Sequence, residues 1–415
     1  MKGLKMLVRQ SLLGLVFLTA GAHAQSNVLI EAVPTGGADR AKIREFTRGF
    51  FEGYTVSEPL YAAKTFRLRY RSKDFDGSPV YILAQMIVPD PEKPVDFPVL
   101  VFGSGTTGIA DHCAPSLERP ETRRWGHYTG NMLAYAGQGF IAVLPDYTGF
   151  NDSSRPQRYF SKTAEARAML DAVRAVSEFF AGGGERFTVK ARASRAVFLG
   201  GYSQGGHAAF AAADLQASYA PEIVLTGVLG FAPACDVEAL FRDGPTYAPY
   251  VLYSYQRIYG AAVIEPARYL QERWARTLEA TAARMCVDQF QSYYPVDGAM
   301  LYRPEFHKAL NGGLLAEAFP ELHAVFQQNL SGLGAHGLPA LIVQGMQDTI
   351  VTPDSQARFV IELCRRASAV RYLKLPGVRH RYTRAAGFEA SVEWMRRLAG
   401  GEDPPSDCAG RRPAP

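Results

Sequence analysis

Five short, continuously apolar runs punctuate this chain, Val99–Phe102, Phe140–Leu144, Ala196–Leu199, Gly227–Phe231 and Ala340–Val343, and a sixth, Val370–Leu375, is apolar but for Arg371 and Lys374. A strand with one face in water alternates polar and apolar residues, whereas a strand apolar throughout is covered on both faces. Between most of these runs lie helical patterns, Tyr128–Gln138, Thr163–Phe180, His207–Ser218 and Ser355–Arg366. Apolar strands alternating with helices predict an α/β fold, a mostly parallel central sheet flanked by helices. Ligands bind such sheets at the carboxyl ends of the strands. The places to look for chemistry are therefore Gly103–Gly108, Asp146, Ser203, Asp348 and the loop after Leu375.

The third run leads into Gly201-Tyr202-Ser203-Gln204-Gly205 and then an Ala-rich segment, His207–Leu215. This is the G-x-S-x-G pattern of a nucleophile elbow, a strand-to-helix turn tight enough to strain its central serine. The flanking glycines are required because a Cβ at either position would meet neighbouring backbone. The turn lifts the Ser203 hydroxyl off the sheet edge and points free N–H groups of the next helix at it.

A serine hydroxyl is a weak nucleophile and needs a base, which in turn needs an acid to orient it. The expected chain order on this kind of sheet is Ser, then Asp or Glu, then His. His380 is the one histidine that follows both Ser203 and a strand-end carboxylate. It stands beyond Leu375-Pro376-Gly377, between Arg379 and Arg381. Asp348 follows the run ending at Val343 and is the expected acid. Asp354, after Pro353, reads instead as the first turn of a helix, where an acid serves the dipole. The oxyanion requires two backbone N–H donors: one from Gln204, whose side chain is optional to that role, and one from Gly105 or Thr106. Gly103–Gly108 makes a poor phosphate cradle, having no Lys-Ser/Thr after it. His207 is expected in packing or a polar contact, and Asp146 in the pocket floor.

The first 24 residues carry Lys2, Lys5 and Arg9, an apolar run Leu12–Ala20, and Ala22-His23-Ala24. Basic, apolar and small-residue regions in that order make a secretory signal peptide, cleaved before Gln25. The expected address is secreted or periplasmic. Removing three basic residues lowers the formal net charge from +5 to +2. That near-neutral balance argues against nucleic acid or an anionic membrane as partner, and no later stretch is long and apolar enough for an integral membrane segment. All five cysteines, Cys113, Cys235, Cys286, Cys364 and Cys408, fall in the exported part. Two disulfides and one free thiol are expected in an oxidising compartment, with fifteen pairings open. Metal binding is the weaker reading, since His112 and Cys113 are adjacent and isolated.

Residues 25–60 open on a flexible start followed by a helical stretch, Arg40–Phe51. Lys64–Arg71 and Val80–Val88 form an antiparallel hairpin about Asp74-Phe75-Asp76-Gly77, and the Pro-rich stretch 89–98 is an irregular connector. Between Phe231 and Ala340 no strand pattern occurs, and about a hundred residues is too long for a loop. With nine of the 21 tyrosines, residues 236–335 read as a helical cap or lid inserted over the strand ends. The expected organisation is a core of 25–235 and 336–400, this cap, and a tail, 401–415, after the last helix, Phe388–Leu398.

The blocks Gly201-Tyr202-Ser203-Gln204-Gly205-Gly206-His207, Gly105-Thr106-Thr107-Gly108 with Cys113-Ala114-Pro115-Ser116, and Pro145-Asp146-Tyr147 together resemble the secretory lipase family, which includes the fungal A-type lipase. The likeness runs from about Lys64 to Trp394. It implies an α/β-hydrolase, an esterase or lipase without a cofactor, using the triad Ser203, His380 and Asp348. Relatives often have His-Gly-Thr-Thr-Gly where this chain has Ser104-Gly105-Thr106-Thr107-Gly108, so its oxyanion loop is tuned differently. The family's cap cysteine implies a Cys113–Cys286 bridge. Cys364–Cys408 would then pin the tail and leave Cys235 free. The function expected is a secreted serine carboxylesterase or lipase acting on a small-molecule ester. The competing readings are a prolyl-type peptidase, which would place acids of the cap near the site to grip a substrate amine, and a hydrolase scaffold turned binding protein.

Overall fold

The structure, a computed structural model, describes residues 28–118, 126–152, 154–182, 187–366 and 368–408. The expected signal peptide and the end of the tail lie outside these residues. Nine strands form one sheet in the order β1-β2-β3-β5-β4-β6-β7-β8-β9. They are β1 (Leu29–Ala38), β2 (Ala62–Lys73), β3 (Pro79–Asp90), β4 (Val95–Gly103), β5 (Ile141–Pro145), β6 (Ala191–Tyr202), β7 (Gly227–Phe231), β8 (Ala340–Gly345) and β9 (Val370–Leu375). β1, β2, β3 and β5 pair antiparallel in sequence, and β5-β4-β6-β7-β8-β9 are parallel throughout. Every residue of β5, β7 and β8 is buried, as continuous apolar runs require. This is the α/β-hydrolase architecture, with all six apolar runs in the parallel part.

Helices cover both faces. The layer of α3 (Lys162–Gly182), α4 (Gln204–Tyr219) and α13 (Pro353–Arg365) packs on one face. The other is covered by α1 (Arg40–Thr47), α2 (Tyr128–Gly137) and α15 (Phe388–Ala399), the last preceded by the short α14 (Thr383–Ala386). Between β7 and β8 come α5 (Val237–Asp243), α6 (Ala248–Tyr259), α7 (Glu272–Ala282), α8 (Val287–Tyr293), α9 (Gly298–Leu301), α10 (Pro304–Gly312), α11 (Leu315–Ala318) and α12 (Pro320–Asn329). These helices bury a third hydrophobic cluster of their own, rich in Tyr and Phe. None of the described helices is long and apolar enough to cross a membrane.

Three expectations need correction. The segment expected as a flexible start contains β1, whose Pro34, Gly36 and Gly37 disguise it. An edge strand tolerates such breakers, and the β1–β2 register shifts between Pro34 and Gly36. The expected connector 89–98 is largely strand, with β3 running to Asp90 and β4 beginning at Val95. Pro98, which has no N–H to give the ladder, marks a register shift between Phe97 and Val99 instead of a break. β6 starts at Ala191, five residues before its apolar run, because its polar half pairs with Val95–Phe97.

Two disulfides join Cys113 to Cys286 and Cys364 to Cys408, and Cys235 is a buried free thiol. The first ties the start of α8 to the loop after β4. The Val287 amide also donates to the Thr107 carbonyl at 2.8 Å.

Candidate active site

One residue separates β6 from α4, and it is Ser203. A Cβ at Gly201 would lie 1.9 Å from the Gly205 carbonyl oxygen, and one at Gly205 would lie 1.9 Å from that of Gly103. Only glycine fits either place. Ser203 itself has φ 53° and ψ −113°, a region costly for a residue with a side chain, of order 1–3 kcal/mol. The surroundings hold it there. Its N–H donates to the Phe231 carbonyl at the end of β7 (3.0 Å), and its carbonyl accepts from His207 and Ala234 N–H, each at 3.1 Å.

Asp348 sits in the turn after β8, buried at 4% exposure. Its Oδ1 accepts the Ile350 and Val351 N–H groups, each at 2.9 Å. Its Oδ2 lies 2.7 Å from Nδ1 of His380, which is carried by the loop after β9. With Oδ1 fully occupied by backbone, Oδ2 has the imidazole as its partner. The His380 ring is buried and leans on the Tyr202 ring, with centroids 4.9 Å apart. Asp354 is exposed in the first turn of α13 and takes no part.

Ser203, His380 and Thr106 open on one cavity of about 150 Å³, walled also by Tyr128, Tyr202, Tyr247, Gln291 and Arg384. Tyr247 and Gln291 come from the helical insertion and hydrogen-bond each other across it. A cavity of about 20 Å³ between Pro233 and Phe359 holds none of the three chemical groups. Of the two alternatives for the second oxyanion donor, Thr106 is on the cavity wall. Gly105 lies against Tyr128, whose hydroxyl would be 2.9 Å from a Cβ at that position. Burial pushes that phenol up to about 12, so it stays neutral at ordinary pH.

Arg384 escaped the sequence reading, which looked at Arg379 and Arg381. It lies four residues past His380, one helical turn on, and that spacing is the signal that could have found it. Only 3% exposed, its guanidinium stacks on Phe50, Tyr128 and Tyr202, 4.5 to 5.1 Å from the ring centroids. It donates to Asn131 Oδ1 and to the Gly126 carbonyl. Buried Glu118 supplies the opposing charge. Its oxygens accept the Gly126 and Thr129 N–H groups, and burial raises its carboxyl above the usual range.

Asp146 is not in the pocket floor, correcting that expectation. It is fully buried at the end of β5, where its oxygens accept Ser116 N–H (2.8 Å), Ser116 Oγ–H (2.6 Å) and Asn151 Nδ2–H (2.8 Å). The Pro145-Asp146-Tyr147 and Cys113-Ala114-Pro115-Ser116 blocks are thus bonded to each other. Burial pushes the Asp146 carboxyl up to about 6. His207 is in a polar contact, as expected, with Glu165 and the Asn329 carbonyl. His112 approaches Cys113 and Cys286, but both sulfurs are committed to the disulfide. Of the acids of the cap, which a peptidase would need near the site, Asp288 is the one on the cavity wall.

Comparison with known proteins identifies the family and the fold. Residues 130–405 match the secretory lipase family. Lipase A of Moesziomyces aphidis is 24% identical over 370 residues, 85% of this chain and 76% of that one. The crystal structure of the rice cell wall degrading esterase LipA from Xanthomonas oryzae superposes with a TM-score of 0.71 at 19% identity, covering 91% of this chain and 99% of the other. For Candida antarctica lipase A the values are 0.65 and 21%, with 94% and 85% covered. A match over most of the length, on a hydrolase sheet with the serine at its elbow, identifies the chain as a member of the secretory lipase family of ester hydrolases.

Proposed function

We propose that this protein is a secreted serine carboxylesterase working through an acyl-enzyme. The observation that carries the reading is the Asp348 Oδ2–His380 Nδ1 contact of 2.7 Å beside the cavity that Ser203 opens on. Ser203 Oγ attacks the ester carbonyl while His380 Nε2 takes its proton. Asp348 holds the imidazole in the tautomer that leaves Nε2 free to accept. The oxyanion is received by the N–H groups of Gln204 and Thr106, with Gly105 as the alternative second donor. Collapse of the tetrahedral intermediate expels the alcohol, protonated by His380. Water, deprotonated by the same ring, then releases the acid.

Residues 236–335 act as the cap, supplying Tyr247, Val287, Asp288 and Gln291 to the outer wall. A cavity of about 150 Å³ with hydroxyl, amide and guanidinium groups on its walls suits a short or polar acyl group better than a long alkyl chain. The signal peptide over residues 1–24 would deliver the enzyme to the periplasm or beyond, and two disulfides suit that oxidising address. The test uses p-nitrophenyl esters from acetate to laurate. Turnover should peak at the short end and vanish in Ser203→Ala, whose thermal melt stays cooperative. Activity surviving in Ser203→Ala would overturn the assignment of the nucleophile, and a maximum at laurate would overturn the substrate preference.

A further inference from the structure

We propose that Glu165, a buried acid on α3 that touches no substrate, is the positioning residue of the oxyanion hole, holding both of its donor loops at once. The inference rests on the serine esterase reading above. Glu165 is fully buried in the first turn of α3. Its Oε1 accepts from the Gln204 side-chain amide at 2.8 Å and from the Phe160 backbone N–H at 3.0 Å. Its Oε2 lies 2.6 Å from Nδ1 of His207, whose Nε2 lies 2.8 Å from the Asn329 carbonyl.

The Gln204 contact fixes one donor. Gln204 is the first residue of α4, and its side chain, tied to Glu165, holds the turn that carries the first proposed donor N–H. His207, one helical turn later, ties the same helix to the same carboxyl group. The Phe160 contact fixes the other donor. Phe160 has φ +57°, a left-handed conformation that a phenylalanine adopts only under restraint. The restraints are its N–H on Glu165 and its carbonyl on the Tyr255 hydroxyl at 3.1 Å. Its neighbour Tyr159 is fully buried and places its hydroxyl 2.6 Å from Thr106 Oγ1. Thr106 stands beyond the end of β4, outside regular structure, and this hydroxyl contact holds its side chain while the Val287 N–H holds the next carbonyl, that of Thr107.

Gln204 and Thr106 belong to different segments, yet both trace to Oε1 of one side chain, whose Oε2 holds His207 on the same helix as Gln204. An oxyanion hole works only if its donors converge on a point about 2.7–3.1 Å from each. A displacement of about 1 Å costs on the order of a hundredfold. A network that merely filled the core would alter stability and leave the split between kcat and KM untouched.

The experiment measures kcat and KM for p-nitrophenyl butyrate, Ki for a phenylboronic acid that mimics the tetrahedral state, and Tm. It compares full-length secreted enzyme with Tyr159→Phe, Glu165→Gln and Glu165→Leu. Wild-type turnover that Ser203→Ala abolishes first establishes the esterase reading, and its absence would fail that reading separately. Tyr159→Phe should lower kcat about tenfold and weaken the boronate in parallel, with KM within about twofold and a cooperative melt. Glu165→Leu should lower kcat by about a hundredfold or more, since both loops are released. Glu165→Gln should keep kcat within about threefold, because its amide oxygen still accepts from Gln204 and Phe160 while its N–H can donate to His207 Nδ1 in the tautomer whose Nε2–H donates to the Asn329 carbonyl. Should Glu165→Leu not fold, the other two variants decide. Wild-type kcat in Tyr159→Phe, a loss confined to KM or Tm, or a Glu165→Gln loss as deep as a hundredfold would each overturn the proposal.

Discussion

Replacing Asp348 by Asn tests the orienting role with almost no change of shape. Oδ1 accepts two backbone N–H groups, from Ile350 and Val351. An amide nitrogen at that position would set donor against donor twice, at about 1–3 kcal/mol for each buried group left unsatisfied. The asparagine is therefore held with its oxygen on the backbone and its NH₂ on His380 Nδ1, 2.7 Å away. That NH₂ can only donate, so Nδ1 must accept and the ring proton moves to Nε2. A protonated Nε2 cannot take the proton of Ser203. In serine hydrolases this tautomer error costs about 10⁴ in kcat, roughly 5.4 kcal/mol of barrier.

The assay is steady-state hydrolysis of p-nitrophenyl butyrate, with active sites counted by burst titration on the wild type. Asp348→Asn should fall about 10⁴-fold in kcat while KM moves by less than about threefold. Its melting temperature should stay within about 2 °C, because each backbone hydrogen bond survives. A variant retaining a tenth of wild-type kcat would refute the reasoning. It would mean that Asp348 holds the loop and another group sets the histidine.

Further predictions concern strain and pH. Ser203→Gly should be more stable than Ser203→Ala, because the alanine keeps a Cβ at φ 53° and the glycine does not. Relief of about 1–3 kcal/mol outweighs a glycine entropy cost of roughly 0.5–1 kcal/mol, and urea unfolding of the two inactive variants that gave equal or reversed midpoints would contradict it. For Asp146, burial raises the folded carboxyl to about 6 from an ordinary 3.8. As pH rises from about 4 to 6 the unfolded chain loses this proton while the folded one keeps it. The wild type should therefore lose up to about 3 kcal/mol relative to Asp146→Asn across that window and nothing more above it. Parallel urea titrations at several pH values read the difference, and a difference that is flat or grows in the other direction would show that the buried carboxyl is ionised throughout.

What could be read from the residues follows how locally each feature is determined. The elbow was legible because two glycines, a serine and an apolar run must be consecutive for the turn to form, so the chemistry is written in five adjacent letters. The meeting of His380 and Asp348 was legible from chain order and from their standing just past apolar runs. Such runs are recognisable because both faces of a parallel strand are covered. The strand β1 was hidden because an edge strand needs neither an unbroken ladder nor a continuous apolar pattern, and Pro34 and Gly36 erased both signs. Asp146 looked like a strand-end candidate and proved to be a brace, since a carboxylate's position says nothing about which N–H groups will reach it. Here they come from Ser116, on another loop, and from the Asn151 side chain, five residues on in the same one.

The cavity walls were hidden for a deeper reason. Tyr128 belongs to α2, Tyr202 to the end of β6, Tyr247 and Gln291 to the insertion, and Arg384 to α14, and no pattern in the chain records that these segments meet. What brings them together is packing: Arg384 is held by three rings and two acceptors from separate elements. A buried guanidinium is retained only where its charge is answered, here by Glu118 across the same loop. On the proposed reading the chemical step depends on a few residues fixed by local backbone geometry, and the choice of substrate on residues fixed by the whole fold. Substitutions at Tyr247 or Gln291 should accordingly redistribute preference among esters and leave the attack on the carbonyl intact. Substitutions at Gly201 or Gly205 have no such latitude, because the atoms they would strike are the backbone that holds Ser203 in place.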